Sequence, residues 1–402
     1  MKKNQKIDEL SLDRRDLIKT SSILFGGLLL SGGLGNPVYG KTNSDEIFKP
    51  SKDNPLILTS NENSLGMSKK AHEAIIKRLP KAFRYLRYSS HSPRMQLMDK
   101  IANQFKLTQD NVTLGNGSSE TIQAAIQALI MEQKNKNNPV QLVIPELTFE
   151  YAELYAKPFG IPIVKIPLDS EMGIDIDKMR QNVQAFKGVS IVYICNPNNP
   201  TGKIVPSKYI DKWIKEASTN QVFFIFDEAY GEYVDDKTFQ SAIKWVVAKQ
   251  ENVLVTKTFS KIYALAGLRI GYGIGAPKLI KKIRAFVELD NINALAAVAA
   301  EASLDDKEFA KKSIEANAIS RKILSDTLDE LKIKYLPSQA NFMFYQIKGD
   351  LKTFQKRMQD RYIMVGREFP PFTQWNRISL GIPAEMRAFT NELRNFAKKG
   401  WI

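Results

Sequence analysis

Phe223-Phe224-Ile225-Phe226-Asp227-Glu228-Ala229-Tyr230 is an apolar run too short for a helix that stops abruptly at an acid, with a tyrosine three residues on. Such a run reads as a strand buried on both faces. Asp227 then falls at the carboxyl end of that strand. Open α/β sheets bind ligands there, and a carboxylate so placed can pair with a cationic ring nitrogen. Working outward, strand-like runs at 111–114, 141–144, 162–166, 190–195, 222–226 and 252–256 alternate with helical patterns such as 118–132 and 206–218. The alternation predicts an α/β fold, a large domain with a mostly parallel sheet between helices. Past about residue 290 the pattern turns helical, with a long stretch from Lys307 to Leu331. Short strands at 341–346 and 376–380 and a last helix from Pro383 then predict a smaller α+β domain.

Three further strand ends carry chemistry. In Thr258-Phe259-Ser260-Lys261-Ile262-Tyr263-Ala264-Leu265-Ala266-Gly267-Leu268-Arg269-Ile270-Gly271-Tyr272, one lysine stands eight residues before an arginine in an otherwise uncharged stretch. A desolvated lysine loses its proton readily and can condense with an aldehyde, while hydroxyls and an arginine nearby can hold a phosphate. Taken alone, the pair reads as a snorkelling lysine and a surface arginine. Ile191-Val192-Tyr193-Ile194-Cys195 reads as another buried strand, followed by the loop Asn196-Pro197-Asn198-Asn199-Pro200-Thr201-Gly202. Leu114-Gly115-Asn116-Gly117-Ser118-Ser119-Glu120 places glycine and serines at a helix start, where free N–H groups and the helix dipole favour an anion or, more plainly, a serine caps the helix.

With these motifs in order, the sequence resembles the fold type I pyridoxal-phosphate enzymes, within them the class I and II aminotransferases and especially the histidinol-phosphate aminotransferases. The likeness runs from about Leu56 to Pro383 and includes Leu58-Thr59-Ser60-Asn61-Glu62-Asn63-Ser64-Leu65-Gly66, Pro337-Ser338-Gln339-Ala340-Asn341-Phe342, Val365-Gly366-Arg367 and Arg377-Ile378-Ser379-Leu380-Gly381. The resemblance implies that Lys261 bonds the aldehyde of pyridoxal 5′-phosphate and later shuttles a proton at the substrate Cα. It implies that Asp227 holds the ring nitrogen, that Asn199 and Tyr230 bond the ring hydroxyl, and that Phe149 stacks on the ring. The phosphate cup would be Gly117, Ser118, Ser119, Thr258, Ser260 and Arg269. A tyrosine from a neighbouring subunit would complete it; Tyr88 is the match, with Tyr85 as its rival, and a homodimer follows. Arg377 would grip the anionic end of the substrate, Arg367 a second anion, which favours a doubly charged substrate, and Asn63 would join them. In place of the usual Pro- and Asp-rich segment after that tyrosine stands Ser89-Ser90-His91-Ser92-Pro93.

The implied activity is transfer of an amino group between an amino acid or amino-phosphate and a 2-oxo acid. Alternatives on the same cofactor are an exported aromatic or other amino-acid aminotransferase, a decarboxylase or lyase, or, outside catalysis, a cofactor-binding protein without turnover. The expected division is 1–40 as a signal segment, 41–85 as an arm and part of the small domain, 86–290 as the large domain, and 291–402 as the small C-terminal domain.

Residues 1–40 carry a separate message. Ser11-Leu12-Asp13-Arg14-Arg15-Asp16-Leu17-Ile18-Lys19 is a twin-arginine pattern, followed by a glycine-rich apolar stretch from Ile23 to Leu34 and a small-residue site at Val38-Tyr39-Gly40. The expectation is export of the folded chain by the twin-arginine machinery to a periplasmic or extracellular location, an uncleaved membrane anchor being the alternative. The 402 residues carry a net charge of +15. No nucleic-acid motif accompanies the basic residues, which are scattered over helix faces, so no nucleic-acid partner is expected. One cysteine and two histidines, His72 and His91, give no expectation of a metal site or an internal disulfide.

Overall fold

The computed structural model describes residues 47–86 and 91–402. The twin-arginine pattern and Tyr88 lie outside the described residues. Gly40–Ile402 clusters as one compact unit. After a short strand β1 (Leu56–Ile57) come the strands of the main sheet: β2 (Val112–Gly115), β3 (Val140–Pro145), β4 (Ile163–Ile166), β5 (Val189–Cys195), β6 (Val222–Asp227), β7 (Val253–Thr258) and β8 (Gly271–Gly275). Their order is β2-β8-β7-β6-β5-β3-β4. The pairings from β7 through β4 are parallel, while β8 runs antiparallel to both of its neighbours. Every residue of β5 and β7 is buried, which is why β5 reads as a nearly continuous apolar run, whereas β7 carries one charge, Lys257.

The antiparallel β8 departs from the sequence reading, which gave Gly271-Tyr272 no strand. Its Gly-Tyr-Gly-Ile-Gly composition is poor in strand formers. The glycines have a packing reason. A Cβ at Gly271 would collide with the backbone of Gly117 and Ser118, and one at Gly273 with the Thr121 side chain. Helix Gly117–Asn135 therefore lies almost in contact with the strand, and its first turn reaches the ends of β7 and β8.

The smaller lobe contains β9 (Tyr335–Leu336), β10 (Phe342–Gln346), β11 (Ile363–Met364) and β12 (Trp375–Ser379). β10 is antiparallel to both β12 and β9, and β1 pairs with β11 in parallel. Helices Lys307–Glu330 and Pro383–Lys398 supply Leu324, Leu328, Phe389, Leu393 and Phe396 to its core. Burying side chains of this size is worth about 1.5–3 kcal/mol each.

Segments distant in sequence share each core. Leu56 and Leu58 join the small-lobe core, but Ala71, from helix Lys69–Arg78, shares the large-sheet core with Ala296, Ala297, Ala299 and Ala300 of helix Ala294–Leu304. Alanines let these helices approach closely.

Candidate active site

The register sets Cys195, Asp227 and Thr256 side by side where β5, β6 and β7 end. Cys195 and Asp227 of that row line a cavity of about 510 Å³, within the usual size for a small-molecule site. Asp227 is 2% exposed. Its Oδ2 accepts from the Tyr193 hydroxyl at 2.9 Å, and its Oδ1 accepts from the Ala229 N–H at 3.2 Å and from Thr256 Oγ1 at 3.4 Å. Burial pushes the carboxyl up to about 6 despite these hydrogen bonds. Among the described residues no basic side chain forms an ion pair with it. A buried carboxylate without a protein counter-ion is suited to a cationic ligand group.

Lys261 enters from the turn after β7. Its Nζ donates to Ser60 O at 3.0 Å and lies 5.7 Å from the Tyr230 ring centroid. Burial pulls the ammonium down to about 8, assisted by Arg377 and Arg269 and opposed by Glu62 and Asp227. Tyr230 follows β6 by three residues, and its hydroxyl accepts from Asn61 Nδ2 at 3.1 Å and Asn199 Nδ2 at 3.3 Å. Burial raises the phenol well above its ordinary range. Asn199 also accepts from Arg377 Nη1 at 2.8 Å, and Arg377 Nη2 donates to Thr59 O at 2.7 Å. The Arg377 Nε is buried with no hydrogen-bond partner.

Beside Lys261 the chain builds an anion cup. Thr258 Oγ1 donates to Ser260 Oγ at 2.9 Å, and Arg269 Nη1 points at the same hydroxyl at 3.5 Å. Arg269 is held by Ala266 O at 3.0 Å and Asn116 O at 3.3 Å. Opposite it starts the 19-residue helix Gly117–Asn135, which has no side-chain cap, so its first N–H groups and its dipole face the cup through Ser118 and Ser119. Gly117 takes φ +74°, and a Cβ there would strike the Arg269 guanidinium, so glycine is required.

The structure thus brings Ser118, Ser119, Phe149, Asn199, Asp227, Tyr230, Thr258, Ser260, Lys261, Arg269, Arg367 and Arg377 around one cavity, with Gly117 against Arg269. Asn63 is placed elsewhere. Its Nδ2 donates to Ile262 O and Ser313 Oγ, both at 3.0 Å, so it ties the lysine turn to helix Lys307–Glu330 and does not line this cavity. Asn61, two residues earlier, takes the place at the site. Tyr193 also went unassigned in the sequence reading, although a tyrosine in the aliphatic run Ile191–Ile194 was a visible irregularity. Tyr85 is 77% exposed.

A parallel sheet with a lysine, an uncompensated acid and an anion cup at its strand ends defines the fold type I pyridoxal-phosphate enzymes. The chain belongs to the aminotransferases of class I and II, whose family profile matches residues 53–393. It is 31% identical over 343 residues to a histidinol-phosphate aminotransferase of Moorella thermoacetica, covering 84% of each chain. A solved structure from Erwinia carotovora atroseptica, provisionally described as a histidinol-phosphate aminotransferase, is 41% identical with a TM-score of 0.83, covering 89% of this chain and 100% of that one. The fold also matches a Sinorhizobium meliloti histidinol-phosphate aminotransferase in complex with pyridoxal-5'-phosphate, with a TM-score of 0.77 at 22% identity over 86% of this chain and 91% of that one.

The cofactor is pyridoxal 5′-phosphate, and the residues present fit it. Asp227 would meet its ring nitrogen and the cup its phosphate, with Lys261 lining the same cavity.

Proposed function

We propose that this chain works as an exported, homodimeric aminotransferase of the histidinol-phosphate aminotransferase type, passing an amino group from an amino acid or amino-phosphate to a 2-oxo acid. The observation that carries the reading is the placement of Lys261, with its lowered affinity for protons, between the buried Asp227 carboxylate and the Arg269 cup. When bound, pyridoxal phosphate supplies an aldehyde and an electron-withdrawing ring. Asp227 keeps that ring's nitrogen protonated, and Asn199 with Tyr230 holds its oxygen substituent. Phe149 covers one face. Arg377 fixes the substrate's anionic end through a guanidinium already braced by Asn199 and Thr59, and Lys261 Nζ carries the proton to and from the substrate Cα. Amino donor and 2-oxo acid use the site in turn.

Export is supported by Arg14-Arg15 and the apolar stretch after it. Passage of a folded chain suits an enzyme that takes up a cytoplasmic cofactor before leaving. Dimerisation is supported by Phe83, Tyr85 and Leu289, each more than 70% exposed, as apolar groups that a partner would cover. Tyr88 of one chain would then reach the phosphate cup of the other. The test of function is the absorption spectrum of the purified holoprotein titrated with amino acids and with histidinol phosphate. Conversion of the cofactor to its amine form by a donor supports transfer; bound cofactor that no donor converts rejects it.

Two outcomes follow from the titrating groups. The rate at which apoprotein takes up the aldehyde should rise with pH and level off above about pH 8, since only neutral Lys261 attacks. A midpoint near the ordinary lysine value would remove Lys261 from that step. Asp227→Asn should weaken cofactor affinity about 100-fold, because one oriented charge contact is lost. Its apoprotein should nevertheless melt higher than wild type at pH 7. A carboxyl whose folded value is raised to about 6 costs stability as pH climbs through that range, and the amide escapes this cost. An Asp227→Asn apoprotein that melts lower would contradict the assignment of an unpaired, desolvated charge.

A further inference from the structure

Glu150 and Arg367 face the same cavity but take no part in the cofactor seat. Arg367 Nη2 donates to Glu150 Oε2 at 3.0 Å, and its guanidinium carbon lies 4.6 Å from the Phe369 ring centroid. The Arg377 guanidinium carbon lies 5.3 Å from the centroid of that same ring. Two arginines lining one cavity against the same ring would by themselves favour a dianion such as a phosphate monoester. Glu150 cancels one of the two charges.

We propose that Glu150 sets the substrate class, leaving one net positive charge at the substrate end so that amines bearing a single carboxylate are selected over those bearing a dianionic phosphate. This rests on the aminotransferase reading and narrows it. On this proposal the carboxylate that Arg367 meets opposes the doubly charged substrate expected from the sequence.

The pair is held from both sides. Thr148 Oγ1 donates to Asn198 Oδ1 at 2.7 Å and Asn198 Nδ2 donates to Leu147 O at 3.0 Å, which fixes the segment leading into Glu150. Gln355 Nε2 and Asn376 Nδ2 donate to Gly366 O at 2.6 and 2.9 Å, which fixes the residue before Arg367. Arg377 senses both partners: beyond the effect of its burial, Arg367 disfavours its charge and Glu150 favours it. An ion pair as exposed as this one is weak, so discrimination comes from the repulsion a second negative charge meets at Glu150 and not from the strength of the pair. Tyr151 and Phe369 also line the cavity and suit an aromatic or other uncharged side chain.

The test compares histidine with histidinol phosphate as donors to the holoenzyme, since they share an imidazole and differ in the anionic group. Wild type should show at least tenfold higher kcat/KM for histidine, and added salt should narrow the gap. In Glu150→Gln the ratio of histidinol phosphate to histidine should rise at least tenfold. The rise should vanish in the double variant Glu150→Gln with Arg367→Gln, where no cation is freed. A ratio that is unchanged or lower in Glu150→Gln overturns the proposal while the transfer reading stands. Should Glu150→Gln fail to hold cofactor, Arg367→Gln decides: its unpaired Glu150 must lower the ratio at least tenfold, and an unchanged ratio overturns the proposal. A wild type that converts neither of these nor any other amino donor removes the transfer reading and this inference with it.

Discussion

Lys261→Ala is expected to fold, to keep binding pyridoxal phosphate through Asp227 and the cup, and to lose turnover by about 10⁴-fold, the upper end of what a positioned proton carrier contributes. The fold should survive because the side chain makes one hydrogen bond, to Ser60 O, and its removal relieves a desolvated charge. Turnover should not, because no other described residue offers a base in the same position. The Tyr230 ring centroid lies 5.7 Å from Nζ, and burial keeps its phenol protonated. Single-turnover rates with saturating donor measure the effect, and small exogenous amines should restore part of it. A variant within tenfold of wild type would exclude Lys261 from proton transfer.

Lys257→Met is expected to cost about 3–5 kcal/mol of stability, the usual penalty for leaving buried charge without its partner. Lys257 is 8% exposed, with Nζ 2.9 Å from Glu232 Oε1 and 3.5 Å from Glu228 Oε2. Glu228 also accepts from Ser241 Oγ at 2.6 Å and the Ala242 N–H at 2.7 Å. The cluster thereby pins the residues between Asp227 and Tyr230. Burial alone would lower the lysine's proton affinity, yet Glu232 and Glu228 carry it well above the ordinary 10.5. The stabilisation is therefore complete below that pH and does not titrate near neutrality. Replacing both glutamates by glutamine in the same chain should recover much of the loss. An unchanged denaturation midpoint at pH 7 would show that the pair stabilises nothing.

Elements with strong periodicity were legible in the sequence. β5 and β6 announced themselves as short apolar runs, and helix Lys307–Glu330 was anticipated to within a residue of its end. β8 was not, because its glycines answer to the helix packed on it and not to strand propensity. The pairing of β1 with β11 joins two-residue strands more than 300 positions apart and leaves no local trace. At the site, Asp227 and Lys261 could be picked out because each interrupts a run of another character. Asn61 and Asn63 could not be told apart: Asn61 sits at φ +54° outside any helix or strand, where no period assigns a side chain to one face. The Glu150–Arg367 pair joins segments 217 residues apart and had no local signal either.

The two halves of the cavity have separate origins in the chain. The grip on the cofactor would come from the ends of β5, β6 and β7, from Phe149 and from a helix seated on the glycines of β8, whereas the grip on the amine would come from β12, the turn at Phe369 and Glu150. Asn199 links them, since it bonds both Tyr230 and Arg377. A lineage would therefore exchange the amine it consumes most readily through changes at Arg367 and Glu150, which leave that link alone, and laboratory selection for a new donor should accumulate its first substitutions there.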